Sequence, residues 1–572
     1  MSETKQYLKW SSFELEDKDL TQELAAISGD SEAIFDRFYC DLEFGTAGIR
    51  GVIGAGTNRM NIYTVRRATQ GLADYLNDEF DTSSVAIGYD SRIKSELFAQ
   101  QAASVLVANG IKVYLYKELM PVPCVSFATR YLKCQAGIMI TASHNPAKYN
   151  GYKCYGADGC QMTEESAHKV TQKIEKIDVL RGAKYEDFDK ACEQGNIEFI
   201  SEDVFYEYIK NVLSRRVNKD AIDNSPLKLV YTPLNGAGNR PVREALKQIG
   251  ITNVSLVKEQ ENPDGHFPTC PYPNPEIRQA LDLGINQAQK EGADLLLATD
   301  PDCDRVGIAV KDNKGEFVLF TGNEVGALLF DYICQGKVKS NSMPSDPVVV
   351  KTIVTTDMIK AIAKKYAVKC IDVLTGFKYI GEQIAILEAQ NKEENYLFGF
   401  EESYGYLSGT YVRDKDAVVA SMLICEMACY YAKQGKTLID VLNGLYEEYG
   451  HYYHTQNSIT CEGASGMQKI NKIMTDTRQN PPKEIAGKKV IAFEDYKESV
   501  KQNYITGEKE AILLPKSNVL SFFLEGGESV ILRPSGTEPK IKIYCTALAK
   551  TKEQAVQAEQ NLLNDFKNQL GL

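Results

Sequence analysis

Residues 136–146 run Ala136-Gly137-Ile138-Met139-Ile140-Thr141-Ala142-Ser143-His144-Asn145-Pro146. The first five are apolar and predict a buried strand, and Asn145-Pro146 predicts the turn that ends it. Ser143 is therefore expected on a tight loop at the rim of a sheet, where ligands bind in α/β proteins. A serine before Asn-Pro is most often a turn or cap residue, so only the rest of the chain can decide whether Ser143 is functional.

The alternation of strands and helices continues on both sides of this stretch. Strand patterns such as 84–89 and 112–116 alternate with helical patterns such as 96–107, and two further cycles of the same kind follow. Such alternation predicts βαβ units and mostly parallel sheets. After His454 the pattern changes to closely spaced strands followed by an amphipathic helix over 552–570. We therefore predict an α/β fold, with three tandem α/β domains of mixed, mostly parallel sheets and a C-terminal α+β domain around a central cleft.

These cycles also predict the domain boundaries. At 572 residues the chain is far longer than one hydrophobic core supports. Residues 1–210 are expected to form an N-terminal helical extension and the first α/β domain, 211–320 the second, 321–453 the third and 454–572 the α+β domain. In the extension, Trp10, Leu20 and Phe35 are the expected anchors on the first domain.

Composition narrows the functional class. Hydrophobic residues make up 43% and charged residues 25% of the chain, the balance of an ordinary soluble globular protein. A formal net charge of -12 without any basic tract argues against nucleic acid as a partner. The polar start, residues 1–6, lacks the apolar stretch of a secretory signal, and Glu426 interrupts the most apolar segment, 418–432, so neither a signal nor a membrane span is predicted. The fourteen cysteines include no CxxC pair, which argues against a zinc site. They are expected to be reduced thiols, which favours a cytoplasmic location.

A second informative loop is Asp300-Pro301-Asp302-Cys303-Asp304-Arg305, which lies between two apolar strand patterns. Carboxylates at alternate positions can converge on one side of an extended loop. Such an oxygen-only set suits Mg²⁺, which combines carboxylates with substrate phosphate oxygens. An EF-hand is excluded, because Arg305 stands where that loop needs glycine and Lys311 where it needs glutamate. The remaining alternative is a solvated acidic loop.

Two further loops follow strand patterns. The carboxylates and hydroxyl of Gly399-Phe400-Glu401-Glu402-Ser403-Tyr404-Gly405 suit a polyol, and Arg533-Pro534-Ser535-Gly536-Thr537-Glu538-Pro539-Lys540 predicts a phosphate nest, with small hydroxyl residues flanked by cations. A P-loop is excluded, since Tyr430 stands where Gly435-Lys436-Thr437 would need its leading glycine. A dinucleotide fingerprint also fails, because Arg59 replaces its third glycine.

Taken in this order, the four loops resemble the active-site loops of the α-D-phosphohexomutase superfamily. The resemblance spans nearly the whole chain, from Phe44 to Lys540. The chain length, the form of the third loop and the segment Asn262-Pro263-Asp264-Gly265-His266-Phe267-Pro268 are similar to the phosphoglucomutase and phosphopentomutase branch. An ordered set of this kind is far more specific than any one of its loops.

The resemblance implies an intramolecular phosphotransferase of the isomerase class. Phosphorylated Ser143 would exchange phosphoryl groups with a small sugar phosphate, interconverting glucose 1-phosphate and glucose 6-phosphate. Glucose 1,6-bisphosphate would be the intermediate and activator, and Mg²⁺ the cofactor, held by Ser143, Asp300, Asp302 and Asp304. The protein would be a monomer or homodimer. The implied site residues are Arg50, His144 and Lys153 for catalysis, Arg305, Thr375, Gly376, Lys378, Glu401, Ser403 and Lys415 for substrate, and Arg533, Ser535, Gly536 and Thr537 for phosphate.

Two residues are candidates for moving protons. Lys153 is preferred, because a lysine beside a bound Mg²⁺ can have its pKa lowered toward neutrality, although a role in steering phosphate is an equal alternative. His144 is adjacent to Ser143, and neighbouring side chains in an extended turn point apart. We therefore expect the His144 ring to face away from the Ser143 hydroxyl.

Other functions remain open at this stage. Phosphopentomutase or phosphomannomutase would use the same mechanism on another sugar, and one hydroxyl of difference is not evident from sequence. A phosphatase would hydrolyse the phosphoserine, but it would not need the phosphate-gripping fourth loop. A sugar-phosphate-binding regulator without catalysis could discard Ser143 or the aspartates, and all of them are present.

Overall fold

The computed structural model describes residues 2–45, 48–461, 464–535 and 540–572. Four sheets follow one another along the chain. Three of them combine parallel and antiparallel pairs and carry helices, while the fourth is built from antiparallel pairs. The predicted α/β architecture with a C-terminal α+β part is confirmed.

Three N-terminal helices precede the first sheet in the chain. The helices in this part of the chain are α1 (Glu3–Ser11), α2 (Lys18–Ala26), α3 (Ser31–Phe38), α4 (Ile62–Glu79), α5 (Ser95–Ala108), α6 (Val122–Tyr131), α7 (Glu164–Ile174), α8 (Phe188–Glu193) and α9 (Glu202–Leu213). The strands are β1 (Gly48–Val52), β2 (Ser84–Tyr89), β3 (Lys112–Leu115), β4 (Ala136–Ile140), β5 (Tyr149–Gly156) and β6 (Ile197–Phe199). In the order β1-β5-β4-β2-β3-β6, the last four strands are parallel, and β5 and β1 extend the sheet antiparallel.

The N-terminal extension packs through a different face from the one expected. Trp10 and Leu20 are buried as predicted, but Phe35 is 55% exposed, so its assignment as an anchor was wrong. Ile34 and Phe38, four residues apart and therefore on one face of α3, are buried instead. The Phe35 ring stacks on Tyr39 at the surface, with 5.3 Å between the ring centroids.

The second and third sheets each follow a strand–helix alternation. The second unit contains β7 (Leu229–Thr232), α10 (Asn239–Gln248), β8 (Val254–Leu256), α11 (Lys258–Glu261), α12 (Arg278–Glu291), β9 (Leu295–Thr299), β10 (Val306–Lys311) and β11 (Phe317–Leu319), with sheet order β11-β10-β9-β7-β8. The third contains α13 (Gly322–Lys339), β12 (Val348–Thr352), α14 (Met358–Lys365), β13 (Lys369–Val373), α15 (Phe377–Ala389), β14 (Tyr396–Glu401), β15 (Gly405–Leu407), α16 (Ala417–Ala432) and α17 (Leu438–Tyr449), with order β13-β12-β14-β15.

The fourth unit has more elements than the sequence pattern indicated. It contains β16 (His451–Thr460), α18 (Ala464–Gln479), β17 (Glu484–Ile485), β18 (Lys488–Asp495), β19 (Val500–Asn503), β20 (Lys509–Ala511), β21 (Leu520–Leu524), β22 (Ser529–Pro534), β23 (Lys540–Ala549) and α19 (Lys552–Leu570). The strands that the sequence pattern predicts over 490–493, 519–523, 529–533 and 541–545 correspond to β18, β21, β22 and β23, and the helix predicted over 552–570 corresponds to α19. The pattern did not predict β16, α18, β17, β19 or β20.

The cores show how the units are joined. One apolar cluster runs from the first unit through the second into the third, and includes Phe205, Tyr231 and Phe398. The fourth unit has a core of its own, which includes Phe522 and Phe566. It meets the third unit through a small cluster comprising Val354, Leu374, Tyr496, Val519, Ile531 and Tyr544. The first three units therefore share a core, against which Tyr452 of β16 packs from the fourth unit. In the part of the chain described, no helix is long and apolar enough to cross a bilayer.

Candidate active site

Ser143 lies directly beyond the carboxyl end of β4. Its φ of 53° is in the left-handed region, which residues with a side chain seldom adopt and which clusters at functional sites. The turn is held by the Ser143 backbone N–H, which donates to Thr141 Oγ1 at 2.8 Å. The side chain is almost fully buried, and its Oγ donates to Asp300 Oδ2 at 3.0 Å. The serine therefore faces the aspartate loop of the second unit.

The position of His144 contradicts the sequence expectation. Its Nδ1 lies 3.2 Å from Ser143 Oγ, so the two side chains meet instead of pointing apart. The expectation assumed an extended turn, whereas the left-handed backbone of Ser143 brings its hydroxyl round to its neighbour. Burial, together with the charges of Arg305 and Arg50, lowers the pKa of His144 to about 2. The imidazole is therefore neutral, and its Nδ1 lies within hydrogen-bonding distance of the hydroxyl.

Asp300, Asp302 and Asp304 occupy the hairpin between β9 and β10. All three are buried, and one carboxylate oxygen from each lies within 4.8 Å of the others. Burial and the two neighbouring carboxylates raise the pKa of Asp300. Among the described residues, Asp302 Oδ1 and Asp304 Oδ1 are buried without a hydrogen-bond partner. Converging oxygen donors with unsatisfied lone pairs fit a hard divalent cation.

Two lysines approach this cluster from different units. Lys153 of β5 places Nζ 2.9 Å from Asp302 Oδ2 and 3.3 Å from Asp304 Oδ2. Lys415, just before α16, places Nζ 3.1 Å from Asp304 Oδ2. Burial would lower the pKa of both lysines, but the surrounding carboxylates outweigh it and raise both values. Burial would likewise raise the pKa of Asp302, but the Lys153 ammonium holds it below its usual range.

The two predicted arginines flank the Ser143 loop. Arg50 projects from β1 opposite Gly151 of β5, and its Nη1 donates to Asn145 Oδ1 at 3.3 Å. The backbone N–H of Arg305 donates to Asp300 Oδ1 at 3.0 Å, and its Nη1 contacts Glu276 Oε1 at 2.8 Å. Beside the larger effect of burial, the charges of both guanidinium groups also reach His144, whose pKa they lower.

In the third loop, the two glutamates have different environments. Burial raises the pKa of Glu401, at the end of β14, to about 7, although the charges of Lys415 and Arg305 oppose this rise. Glu402 instead accepts hydrogen bonds from Thr352 and Thr355 at 3.2 and 3.3 Å. Of these two glutamates, Glu401 is therefore the one that lies near the cations Lys415 and Arg305. Ser403 is in the turn between β14 and β15.

The predicted substrate residues Thr375, Gly376 and Lys378 lie around the start of α15. Thr375 Oγ1 is buried without a hydrogen-bond partner in the described structure, and Gly376 has a φ of 123°. The ring of Phe377 lies 5.8 Å from Lys415 Nζ, which connects this segment to the aspartate cluster. Lys378 Nζ contacts Glu164 of the first unit at 3.2 Å.

The predicted phosphate loop, residues 533–540, belongs to the fourth unit. Arg533 is near the end of β22, and the Ser535 N–H donates to the Lys540 carbonyl at 2.8 Å, which closes the base of the loop. Gly536 and Thr537, like Glu538 and Pro539, lie outside the described residues. Burial raises the pKa of Tyr379 in α15, and the nearby Arg533 guanidinium partly offsets that rise. Arg533 therefore lies near α15 of the third unit.

The sequence analysis missed several polar residues behind the site. Thr141 Oγ1 contacts Asp90 Oδ2 at 2.7 Å and Asp302 Oδ2 at 3.1 Å, and Asp90 is followed by the buried Arg92. A signal was available, because residues 90–92 directly follow β2, the parallel neighbour of β4. The carboxyl ends of adjacent parallel strands meet at one edge of the sheet. Glu276 had no comparable signal.

Comparison with known families decides where the chain belongs. Family profiles described as phosphoglucomutase/phosphomannomutase, alpha/beta/alpha domains I, II and III match residues 41–181, 206–315 and 321–449. The chain belongs to the phosphoglucomutase/phosphomannomutase family. This confirms the resemblance drawn from the four loops. The α-D-phosphohexomutases are enzymes that move a phosphoryl group within a sugar phosphate.

Members of this family resemble the chain over almost its whole length. A phosphoglucomutase of Staphylococcus haemolyticus (strain JCSC1435) is 42% identical over 92% of this chain and 94% of the relative. One of Staphylococcus aureus (strain USA300) is 40% identical over 89% of this chain and 90% of the relative. Both matches extend well beyond the three profile regions.

Solved structures show the same fold at low identity. A putative phosphomannomutase from Thermus thermophilus has a TM-score of 0.67 at 22% identity and covers 93% of this chain and 100% of its own. The phosphoglucomutase parafusin from Paramecium, in an open form, also has a TM-score of 0.67, at 16% identity, and covers 93% and 95%. These likenesses extend the family fold to the fourth unit.

Proposed function

We propose that this family member is a phosphoglucomutase, which interconverts glucose 1-phosphate and glucose 6-phosphate through a phosphoserine at Ser143. The carrying observation is the buried hydroxyl of Ser143, 3.0 Å from Asp300 and beside two further carboxylates. The choice of glucose rests on the staphylococcal phosphoglucomutases, with which the chain shares 38–42% identity.

The reaction is a reversible exchange of phosphoryl groups. The bond between Ser143 Oγ and phosphorus breaks as a bond forms from phosphorus to the free hydroxyl oxygen of the sugar phosphate. That hydroxyl loses its proton to a base, and Ser143 Oγ takes up one proton to become the free serine hydroxyl. The resulting glucose 1,6-bisphosphate reorients and returns its other phosphoryl group to Ser143 by the reverse steps. Asp300, Asp302, Asp304 and a phosphoserine oxygen would hold Mg²⁺, which when bound withdraws charge from the phosphoryl group in transfer.

Lys153 is our proposed proton carrier. It reaches the cluster from β5, and the carboxylates of Asp302 and Asp304 that raise its pKa are the same groups proposed to bind the cation. A lysine that shares those carboxylates with a divalent cation is held less firmly in its charged form. We assign His144 to a hydrogen bond with Ser143 Oγ and not to the substrate, since the imidazole is neutral and already within hydrogen-bonding distance of that oxygen.

Recognition of the substrate is assigned to the other loops. Glu401 and Ser403 would accept hydrogen bonds from sugar hydroxyls, and Arg533, Ser535, Gly536 and Thr537 would hold the phosphate that is not being transferred. Around the transferred group we propose Arg50, Arg305 and Lys415, with Thr375, Gly376 and Lys378 at the cleft wall. The nearness of Arg533 to Tyr379 supports a phosphate site between the third and fourth units.

We propose three further properties on separate grounds. The four sheets support four domains with boundaries near residues 210, 320 and 453. Fourteen free cysteines favour the reducing cytoplasm. A small-molecule sugar phosphate is the expected partner of a monomer or homodimer, with no role for nucleic acid.

One experiment tests the function and the choice of sugar. Specificity constants are measured by coupled assay for glucose 1-phosphate, ribose 1-phosphate and mannose 1-phosphate, with Mg²⁺ and a trace of the matching bisphosphate. Glucose 1-phosphate should have the highest kcat/KM, whereas a higher value for another sugar would make the protein a phosphopentomutase or phosphomannomutase.

The covalent intermediate is checked on the same preparations. Intact-mass measurement should detect one added phosphate after incubation with the bisphosphate, absent in Ser143→Ala and retained in Ser166→Ala, a control in α7 of the same unit. Turnover should also stop when EDTA removes divalent cations. A protein with no activity on any of the three sugars, although Ser143 is phosphorylated, would exclude the mutase.

A further inference from the structure

Arg92 is fully buried beneath the Ser143 loop and has no part in the reaction just described. Its Nη1 donates to the carbonyl oxygens of Pro146 and Tyr149, both at 3.0 Å, and its Nη2 donates to those of Ser143 and Asn145. One guanidinium therefore satisfies four carbonyl oxygens, spread over the seven residues from 143 to 149. A buried backbone carbonyl without a donor is costly, so this convergence of carbonyls depends on the arginine.

The start of the same loop is tied to the same strand end. The Asp90 carboxylate accepts hydrogen bonds from Thr141 Oγ1 at 2.7 Å, from Ser95 Oγ at 2.9 Å and from the Arg92 N–H at 3.0 Å. Thr141 Oγ1 in turn accepts the N–H of Ser143. The end of β2 thus fixes the loop on both sides of Ser143, which keeps the left-handed φ of 53° that directs Oγ to Asp300.

A loop of the second unit covers Arg92 from below. Its residues 262–268 are the segment that the sequence analysis singled out without a role. A Cβ on Gly265 would lie 2.5 Å from the Ile93 N and 2.7 Å from the Ser91 carbonyl, so only glycine permits this approach. Phe267, buried and with a φ of 47°, presents its ring 5.1 Å from the guanidinium of Arg92. This is the range of a cation–π contact.

We propose that Arg92 is a positioning residue for phosphoryl transfer, held from the second unit by Gly265 and Phe267. Arg92 fixes Ser143 Oγ against the aspartate cluster, and the covering loop makes this geometry a joint property of the two units that supply nucleophile and metal ligands. The inference rests on the proposed function of Ser143. Lysine cannot replace the arginine, because one ammonium lacks the planar fork that reaches four carbonyls.

Steady-state kinetics of Arg92→Lys and Arg92→Met test the proposal. A misplacement of about 1 Å at a reacting atom can cost roughly 10²-fold in rate, so both variants should lose about that factor in kcat. KM should stay within about threefold, since the phosphate and sugar loops are untouched. The matched control is Arg66→Met, a buried arginine of the same unit that contacts Glu16 and Gln101 and not the Ser143 loop.

Hydrogen exchange gives a readout that does not depend on the sugar. In the substrate-free protein, peptides covering 141–150 should exchange at least roughly tenfold faster in Arg92→Met than in wild type, and unchanged in Arg66→Met. Faster exchange in Arg92→Met, combined with a wild type that lacks mutase activity, would keep the positioning role and reject the proposed function. Normal exchange with normal kcat in Arg92→Met would reject the positioning role alone.

A variant in the second unit guards against a folding failure of the arginine variants. Phe267→Ala substitutes no residue of the first unit, yet it should lower kcat and speed the exchange of residues 141–150, as the arginine variants do. Because the two residues act through one contact, Arg92→Lys and Phe267→Ala should be non-additive when combined. Full additivity, or a Phe267→Ala protein with wild-type kcat, would separate the covering loop from Ser143 and overturn the coupling of the two units.

Discussion

The contacts of Lys153 fit two different roles, charge neutralisation and proton transfer. Its ammonium neutralises Asp302 and Asp304, and from the same place it could take a proton from a substrate hydroxyl. Charge and proton transfer are separable, because arginine keeps the charge but does not lose a proton near neutral pH. The two roles therefore predict different results for one pair of substitutions.

If Lys153 transfers protons, Lys153→Met and Lys153→Arg should both lower kcat by ~10²- to 10⁴-fold. Steady-state kinetics with saturating Mg²⁺ and sugar bisphosphate measures this. Lys148→Met is the control, since Lys148 is a lysine on the neighbouring loop that does not contact the aspartates. A Lys153→Arg protein with kcat within about tenfold of wild type would assign Lys153 to phosphate steering instead.

At the scale of single residues, the sequence could predict which side chains come together when they are close neighbours along the chain. Asp300, Asp302 and Asp304 are local neighbours, so their spacing alone places three carboxylates together. The contact between Ser143 and His144 could not be predicted, because it depends on the φ of Ser143, which the rest of the fold imposes. Arg92 is likewise remote in sequence from every carbonyl that it serves.

Strand β1 shows how an element delivers a residue to the site. It is an edge strand, joined to the sheet by β5, and its register sets Gly48 opposite Lys153 and Arg50 opposite Gly151. Gly48 has a φ of 143°, and a Cβ there would lie 1.8 Å from the carbonyl oxygen of Tyr152. The pairing that positions Arg50 therefore requires glycine at its first residue.

We expect Gly48→Ala to displace β1 from β5 and to lower kcat/KM by roughly tenfold or more, because Arg50 leaves the Ser143 loop. Strand β1 contributes Ile49 to the core of the first unit, and most of that core lies in other elements, so the loss of thermal stability should be limited to a few degrees. Gly45→Ala is the control, since its Cβ would meet only the Gly48 carbonyl, at 3.9 Å. Wild-type kcat/KM in Gly48→Ala would mean that β1 does not set the position of Arg50.

Predictability of elements followed their burial. Strands β4 and β9 are buried at every position, so each appears as an unbroken apolar run. Strand β16 is half-buried and rich in polar residues, and β20 is exposed throughout, so neither has a recognisable pattern. The place of β16 in the sheet comes from pairing with β23, which is far away along the chain, and β20 pairs with its neighbour β19 in a local hairpin.

At the scale of the whole molecule, the first three units carry most of the candidate active-site residues and the fourth carries the predicted phosphate loop. The first three share one core and hold Ser143, the aspartates and Glu401 in fixed relation. The fourth has a separate core, touches the third through a small apolar cluster, and carries Arg533. The sequence indicated this division, because the alternation of elements changes after His454, but it could not indicate which units share a core.

This division predicts that Arg533 affects binding more than chemistry. A guanidinium on the fourth unit can hold the far phosphate of the substrate, whereas Ser143, the aspartates and Lys153 lie on the first two units. Arg533→Ala should therefore raise KM by roughly 10-fold or more while kcat changes by less than about threefold, since uniform binding is lost and transition-state contacts are kept. Lys509→Ala, at an exposed cation of β20 in the same unit, should change neither constant. A large fall in kcat at unchanged KM would instead place Arg533 among the groups that act on the transferred phosphoryl, and the fourth unit would then have to close over Ser143 in each half of the reaction.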